Sequence, residues 1–258
     1  MLGEIIKYRD LLFMLAMRDI RIRYKQAIMG FAWAIFMPIM AIMAGVIVKL
    51  AMSFVSGKPL DLQGITSITV KVLPWTFFVS AIKFSVNSLV SNRTLITKIY
   101  FPRETLPFGA ILASLFDFFI ALCSLSILLA IARVGISMHI LLVPFLLIFF
   151  ILFTTGLGLI LSSANLFYRD VKYIVDTILM FGIFFTPVFY SSATFGRWQA
   201  LLLINPIGSI LEAINDSVVL HQMPDILWLS YAGLSSILIF LLGVRFFRRL
   251  EPQFAERI

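Results

Sequence analysis

Charge is what this sequence has least of. Asp, Glu, Lys and Arg make up 13% of its 258 residues and hydrophobic types 61%, whereas soluble domains carry about a quarter charge and about half apolar residues. That composition excludes a soluble globular enzyme or binding module. Cysteine is nearly absent: Cys123 stands alone in an apolar stretch, so there is no intrachain disulfide, CxxC pair or thiolate metal site. Histidine occurs only at 139 and 221, which excludes HExxH and His/Cys metal spacings. The single Gly-Lys pair, Gly57-Lys58, is followed by Pro59 and has Met52 where a P-loop needs its first glycine, so ATP has no such motif to bind. Strict alternation is missing too. A membrane barrel alternates polar and apolar positions over segments of about 10 residues, and ILLVPFLLIFFILF at 140–153 does not. No catalytic residues, metal ligands or cofactor of its own are expected.

What remains is long apolar runs, and about 20 such residues cross a hydrocarbon layer of about 30 Å as a helix. The expected fold is an all-α membrane protein, one transmembrane domain over 1–258, with six transmembrane helices at 27–48, 72–90, 106–132, 140–161, 177–190 and 226–244. Pro38 kinks the first, and neighbouring helices can make good the lost hydrogen bond. Six spans put both termini on one side. Fifteen Lys and Arg lie in the segments of that side against five in those of the other, so the positive-inside rule makes both termini cytoplasmic. The formal charge of +8 is thus read as orientation and contact with anionic lipid rather than nucleic-acid binding. No cleavable signal peptide is expected, because the chain opens on charged, amphipathic sequence.

Three segments between the spans carry pattern. Residues 1–26 interleave six basic side chains with Ile5, Tyr8, Leu12, Leu15 and Ile20, which suits an amphipathic interface helix; a plain topogenic flank is the other reading. The connector 92–107, NRTLITKIYFPRETLP, sets Leu95, Ile96, Ile99 and Tyr100 at helical spacing before Phe101-Pro102 stops the helix. That is the form of a docking helix, or of a turn resting on headgroups. Residues 191–225 should be an outer loop, yet contain WQALLLINPIGSILEAI. Apolar runs of 10 to 14 residues cannot span, so a re-entrant pair of short helices broken at Asn205-Pro206 is expected, or else a hydrophobic cap. Glu212 and Asp216 stand i, i+4 there, as a carboxylate pair or a solvated face.

Within the spans, Lys83 and Asp117 are the costliest residues to place, at about 2.5 kcal/mol or more each near a helix centre. Counted at 1.5 Å per residue from the cytoplasmic end they lie at about 12 and about 16 Å depth, so an intramembrane ion pair bracing spans 2 and 3 is expected. Phe181, Phe184, Phe185 and Phe189 fall on one helical face of span 5, with Tyr190 following. Such a stripe is lipid contact and packing, or an aromatic lining on which sugar rings slide.

Taken together, RDIRIRYKQAIMGFAWAIFMP at 18–38, TKIYFPRETLP at 97–107, NLFYRDVKYI at 165–174, FFTPVFYS at 184–191 and Asn205-Pro206 resemble the permease subunit of type 2 ABC transporters that export polysaccharide: O-antigen, capsule or teichoic acid. The resemblance runs the length of the chain. It implies a homodimer in the bacterial cytoplasmic (inner) membrane with two copies of a separate cytoplasmic P-loop ATPase, which would hold ATP and magnesium. It further implies that the connector is the coupling helix (Leu95, Ile96, Lys98, Ile99, Tyr100, Phe101, Pro102, Arg103 and Glu104). Arg18, Arg21, Arg23 and Lys25 would lie near the pyrophosphate of a lipid-linked glycan, and Phe181, Phe184, Phe185, Phe189 and Tyr190 would line its path. The pattern at 165–170 is similar to the O-antigen branch. Two other classes remain at this stage. An ATP-independent channel would need polar rings in its spans, and a membrane enzyme acting on polyprenyl-linked sugars would need acids or histidines clustered at an interface; both are sparse here.

Overall fold

The computed structural model describes residues 7–25, 32–57, 61–99, 101–131 and 133–254. These form helices and connecting turns, with no strand among the described residues. Helix α1 (Arg9–Lys25) lies against the longer α5 (Thr105–Ile131). It buries Leu15 and Ala16 over Gly109, where an added Cβ would stand 3.3 Å from the Leu15 Cβ. The opposite face of α1, with Phe13, Met14 and Ile22, is exposed. Helix α2 (Trp33–Ser56) contains Pro38 and ends on Gly57 at φ 64°, a left-handed cap that glycine adopts without strain.

Helix α3 (Leu62–Ser91) is the hub. The Asp61 carboxylate accepts from the Gln63 amide and starts this helix ten residues before the expected span. Its most apolar stretch is 72% buried, against 22–33% in the other long helices. Around it stand α2, α5 and α6 (Val143–Phe167); α10 (Ile226–Leu250), started by the Asp225 carboxylate on the Leu227 amide, packs on α6. Helices α6 and α10 meet backbone to backbone: a Cβ on Gly156 would fall 2.5 Å from the Ile239 carbonyl oxygen, and one on Gly243 2.3 Å from that of Gly156. Only paired glycines allow this approach.

Shorter helices connect the long ones. A six-residue helix, α4 (Arg93–Lys98), lies in the connector; α7 (Val171–Phe185) follows α6. Beyond α7, α8 (Gln199–Leu203) and α9 (Pro206–Asn215) meet at Asn205, whose side chain caps α9. A π-helical turn, Asp216–Leu220, and left-handed His221 then lead into α10.

Among the described residues four helices are long and apolar enough to cross a membrane: α3, α5, α6 with its 3-10 lead-in (Met138–Phe167), and α10. Where a fifth span is expected over 177–190, α7 runs from Val171 to Phe185 and stops at Thr186-Pro187; its 15 residues reach about 22 Å at 1.5 Å each. The main apolar core surrounds α3. A second cluster sits at the connector end, where Leu15, Leu89, Ile96, Phe101, Leu106, Leu159, Leu166, Phe247 and Phe254 join both ends of the chain to the connector.

Candidate functional site

The connector divides sharply into a buried and an open face. Ile96 and Phe101 are buried in the second cluster and Leu95 packs against it, while Thr94, Thr97, Lys98 and Ile99 are exposed. Tyr100 lies outside the described residues. Pro102 is half-buried and ends the turn with its carbonyl accepting from the Thr105 hydroxyl and amide. Arg103 and Glu104 do not face outward as a docking surface would. The Glu104 carboxylate is buried and accepts from Arg248 Nε at 2.9 Å. The Arg103 guanidinium donates to the Glu251 carbonyl at 2.6 Å, and the Arg103 amide to the Glu251 carboxylate at 3.2 Å. The side chains of Arg103 and Glu104 thus bond the end of α10 rather than extend the open face of α4.

The expected Lys83–Asp117 pair is not made. Asp117 Oδ2 lies 2.5 Å from Arg23 Nη1, and Asp117 Oδ1 accepts from the Tyr24 hydroxyl at 2.6 Å. Arg23 also donates to Ser114 Oγ at 3.2 Å and lies over the Phe84 ring at 3.6 Å. Burial and the bond to the Asp117 carboxylate push the Tyr24 hydroxyl up, so it stays a donor. Lys83 reaches Asp176 on α7 instead, at 3.3 Å. Equal depth along two helices left the rotation of each helix open, and α5 turns Asp117 toward the end of α1. Of the expected basic group, Arg23 bonds Asp117, while Arg18, Arg21 and Lys25 line an open groove of about 430 Å³ with Phe13, Met14, Met17 and Ile22. Arg18 is held there by Asp19 at 2.8 Å.

Of the expected aromatic lining, Phe181, Phe184 and Phe185 are exposed on α7, whereas Phe189 is half-buried beside Gly45. Tyr190 donates its hydroxyl to the Phe184 carbonyl at 2.8 Å and packs on Phe195, so the five do not form one continuous stripe. Phe181 and Phe185 line a cavity of about 590 Å³ between α3, α6 and α7, together with Trp75, Phe78, Phe153 and Asn205. It is almost wholly apolar.

At the opposite end from the connector, sequence reasoning missed a buried ionic cluster. Lys71, counted as a topology charge, is 1% exposed and donates to the Tyr190 carbonyl at 2.6 Å, with Glu212 at 3.7 Å. Glu212 is buried rather than on a solvated face, and accepts from the Ser192 amide at 2.6 Å. Desolvation, and then the Glu212 charge, push the Asp216 carboxyl up to about 6, with Lys71 opposing. The signal was available, since Lys71 sits inside a run of apolar residues at 68–75 interrupted only by itself and Thr69. Among the described residues no cluster of three His, Cys, Asp or Glu could hold a metal ion.

Three curated proteins match over nearly their whole length. O-antigen export system permease protein RfbA of Myxococcus xanthus is 26% identical over 260 residues, covering 99% of this chain and 98% of its own. Two O-antigen export system permease proteins RfbA of Klebsiella pneumoniae are 26% identical over 258 and 254 residues, covering 96% of this chain and 94% of theirs. The family profile described as ABC-2 type transporter matches residues 10–218. By that match, which takes in the hub helix, the connector and the paired short helices, the chain belongs to the ABC-2 type transporter family.

Proposed function

We propose that this chain is the membrane-spanning subunit of an ATP-driven exporter that moves a lipid-linked glycan of the O-antigen class across the bacterial cytoplasmic membrane. The observation that carries this reading is the end-to-end similarity to three O-antigen export permeases, with no insertion large enough to hold another domain. Geometry adds support. Thr94, Thr97, Lys98 and Ile99 form an open face on a short helix, suited to a groove on a separate ATPase that would supply ATP and magnesium. The charge asymmetry of the sequence supports a cytoplasmic position for that face and for both termini.

In this reading α2 and α7 complete six spans, and α8 and α9 form the re-entrant pair at the outer mouth. Both α2 and α7 carry apolar side chains left exposed among the described residues: Met37, Met40 and Met43 on one, Ile174, Ile178 and Phe181 on the other. A second copy packs there in a homodimer served by two ATPase subunits. ATP-driven closure of those subunits pushes α4, and α2 and α7 part to open the path. The groove of Arg18, Arg21 and Lys25 meets the substrate's pyrophosphate at the cytoplasmic surface.

The test is purification in mild detergent from the native host, with mass spectrometry of what co-elutes. The outcome expected is a soluble P-loop ATPase and a pyrophosphate-linked glycan, both lost or depleted with Lys98→Glu plus Ile99→Glu. A homogeneous chain without an ATPase would sink the exporter reading. A co-eluting capsular or teichoic precursor would keep the mechanism and change the substrate.

A further inference from the structure

We infer that Arg103 and Glu104, with Glu251 and Arg248, form a reciprocal lock that delivers the movement of the connector to the last membrane helix, α10. This rests on the exporter reading above, in which α4 receives a push from an ATPase. The sequence spells the same charge order twice, Arg-Glu in the connector and Arg248 followed by Glu251 at the end of α10, and the fold crosses them. Glu104, at the start of α5, holds Arg248; Arg103 caps the end of α10 by donating to the Glu251 carbonyl, which also accepts from the Phe254 amide in the 3-10 turn that follows. The connector thus gives through Arg103 and receives through Glu104, and the end of α10 gives through Arg248 and receives through Glu251.

Three features make this a load path rather than a surface decoration. Glu104 is 3% exposed at its side chain, so its bond to Arg248 is sheltered from competing water on that side. Around the lock, Phe101 of the connector and Phe247 and Phe254 of the chain end are buried in one apolar cluster, with Phe247 and Phe254 edge to face at 5.2 Å. From α10 the path continues into α6 through the Gly156–Gly243 contact, where backbone meets backbone and no flexible side chain can absorb a displacement. The connector, α10 and α6 therefore move as one body, whereas α2 and α7 lie outside it. Arg103, Glu104, Arg248 and Glu251 are positioning residues: they touch neither nucleotide nor glycan.

The experiment uses the co-purified permease–ATPase complex in proteoliposomes, with lipid-linked glycan extracted from the native host. It reads ATP hydrolysed per glycan delivered. Glu104→Arg and Arg248→Glu should each raise that ratio about tenfold with the complex intact, and the two together should return it to within about threefold of the unaltered complex, as contacting residues in a cycle do. A ratio unmoved in either single variant overturns the lock, as does a double variant no better than the singles. Should the reversals fail to accumulate, Arg103→Met, which removes only the cap on α10, decides: a raised ratio supports the lock and an unchanged one overturns it. Failure of any ATPase to co-purify with the unaltered chain would overturn the exporter reading and the lock with it. An intact, active complex indifferent to these changes overturns the lock alone.

Discussion

Neutralising Asp117 tests how the charges buried among these helices are apportioned. Asp117→Asn keeps the shape of the side chain and an oxygen for the Tyr24 hydroxyl, but removes the charge facing Arg23. The guanidinium is then left with Ser114 Oγ at 3.2 Å and the Phe84 ring at 3.6 Å. Breaking a fully buried pair by removing one partner costs about 3–5 kcal/mol. With side-chain exposures of 13% for Arg23 and 26% for Asp117, the loss falls at the lower edge, about 3 kcal/mol. At about 2–4 °C per kcal/mol for a chain of this size, the apparent melting midpoint in a fixed detergent drops by about 6–12 °C.

Lys83→Met provides the comparison. Its pair with Asp176 is 45% and 39% exposed, and a lysine stem can carry its ammonium toward the polar boundary when the partner is lost. Such a pair is worth about 1 kcal/mol or less, so the midpoint shifts by about 4 °C at most. Equal losses for the two variants would refute this apportionment. So would rescue by exchanging charges between positions 83 and 117, because that outcome requires the direct pair the structure does not contain.

Two further outcomes follow from geometry elsewhere. Gly243→Ala forces α10 away from α6, an overpacking cost of about 1–3 kcal/mol and a fall of several degrees in the midpoint; Gly135→Ala, whose Cβ would meet only His221 Nε2 at 3.6 Å, should leave it within a degree or so. Asp216, with its carboxyl raised from 3.8 to about 6, favours the folded state fully only below about pH 3.8, and that contribution is lost as pH rises through about 6. Asp216→Asn should therefore melt higher than the unaltered protein at pH 7.5, with the gap closing toward pH 4; a gap independent of pH would refute the assignment.

The membrane class and the places of the long helices were legible because they follow from apolar run length, which needs no partner. The break at Asn205-Pro206 was legible for a similar reason: an Asn cap before a proline acts locally. The charges were another matter. Asp117 and Lys83 could be placed in depth but not in azimuth, and Arg23 was hidden among basic residues that do face outward. Glu104 and Arg103 read as part of the docking helix because their partners lie 144 and 148 positions away. Lys71 was counted for orientation at the end of a span, since the chain before it, LQGITSIT, is polar enough to pass for a loop. It folds as helix because other helices cover it.

That covered first third of α3 has a consequence for the lipid around the protein. Thirty residues make a helix of about 45 Å, roughly half as long again as a hydrocarbon layer of about 30 Å. A bare apolar helix of such length would have to tilt, kink or stretch the bilayer to hide its excess. Here Ile68, Val70, Val72 and Leu73 are sheathed in protein, and Lys71 is paired with Glu212 within it, so α3 can stand proud of the membrane with little apolar surface beyond Leu62 in water. Hydrophobic mismatch then falls on the helices whose sides are open, and changes in bilayer thickness reach the hub through α2, α5 and α6, which pack against it.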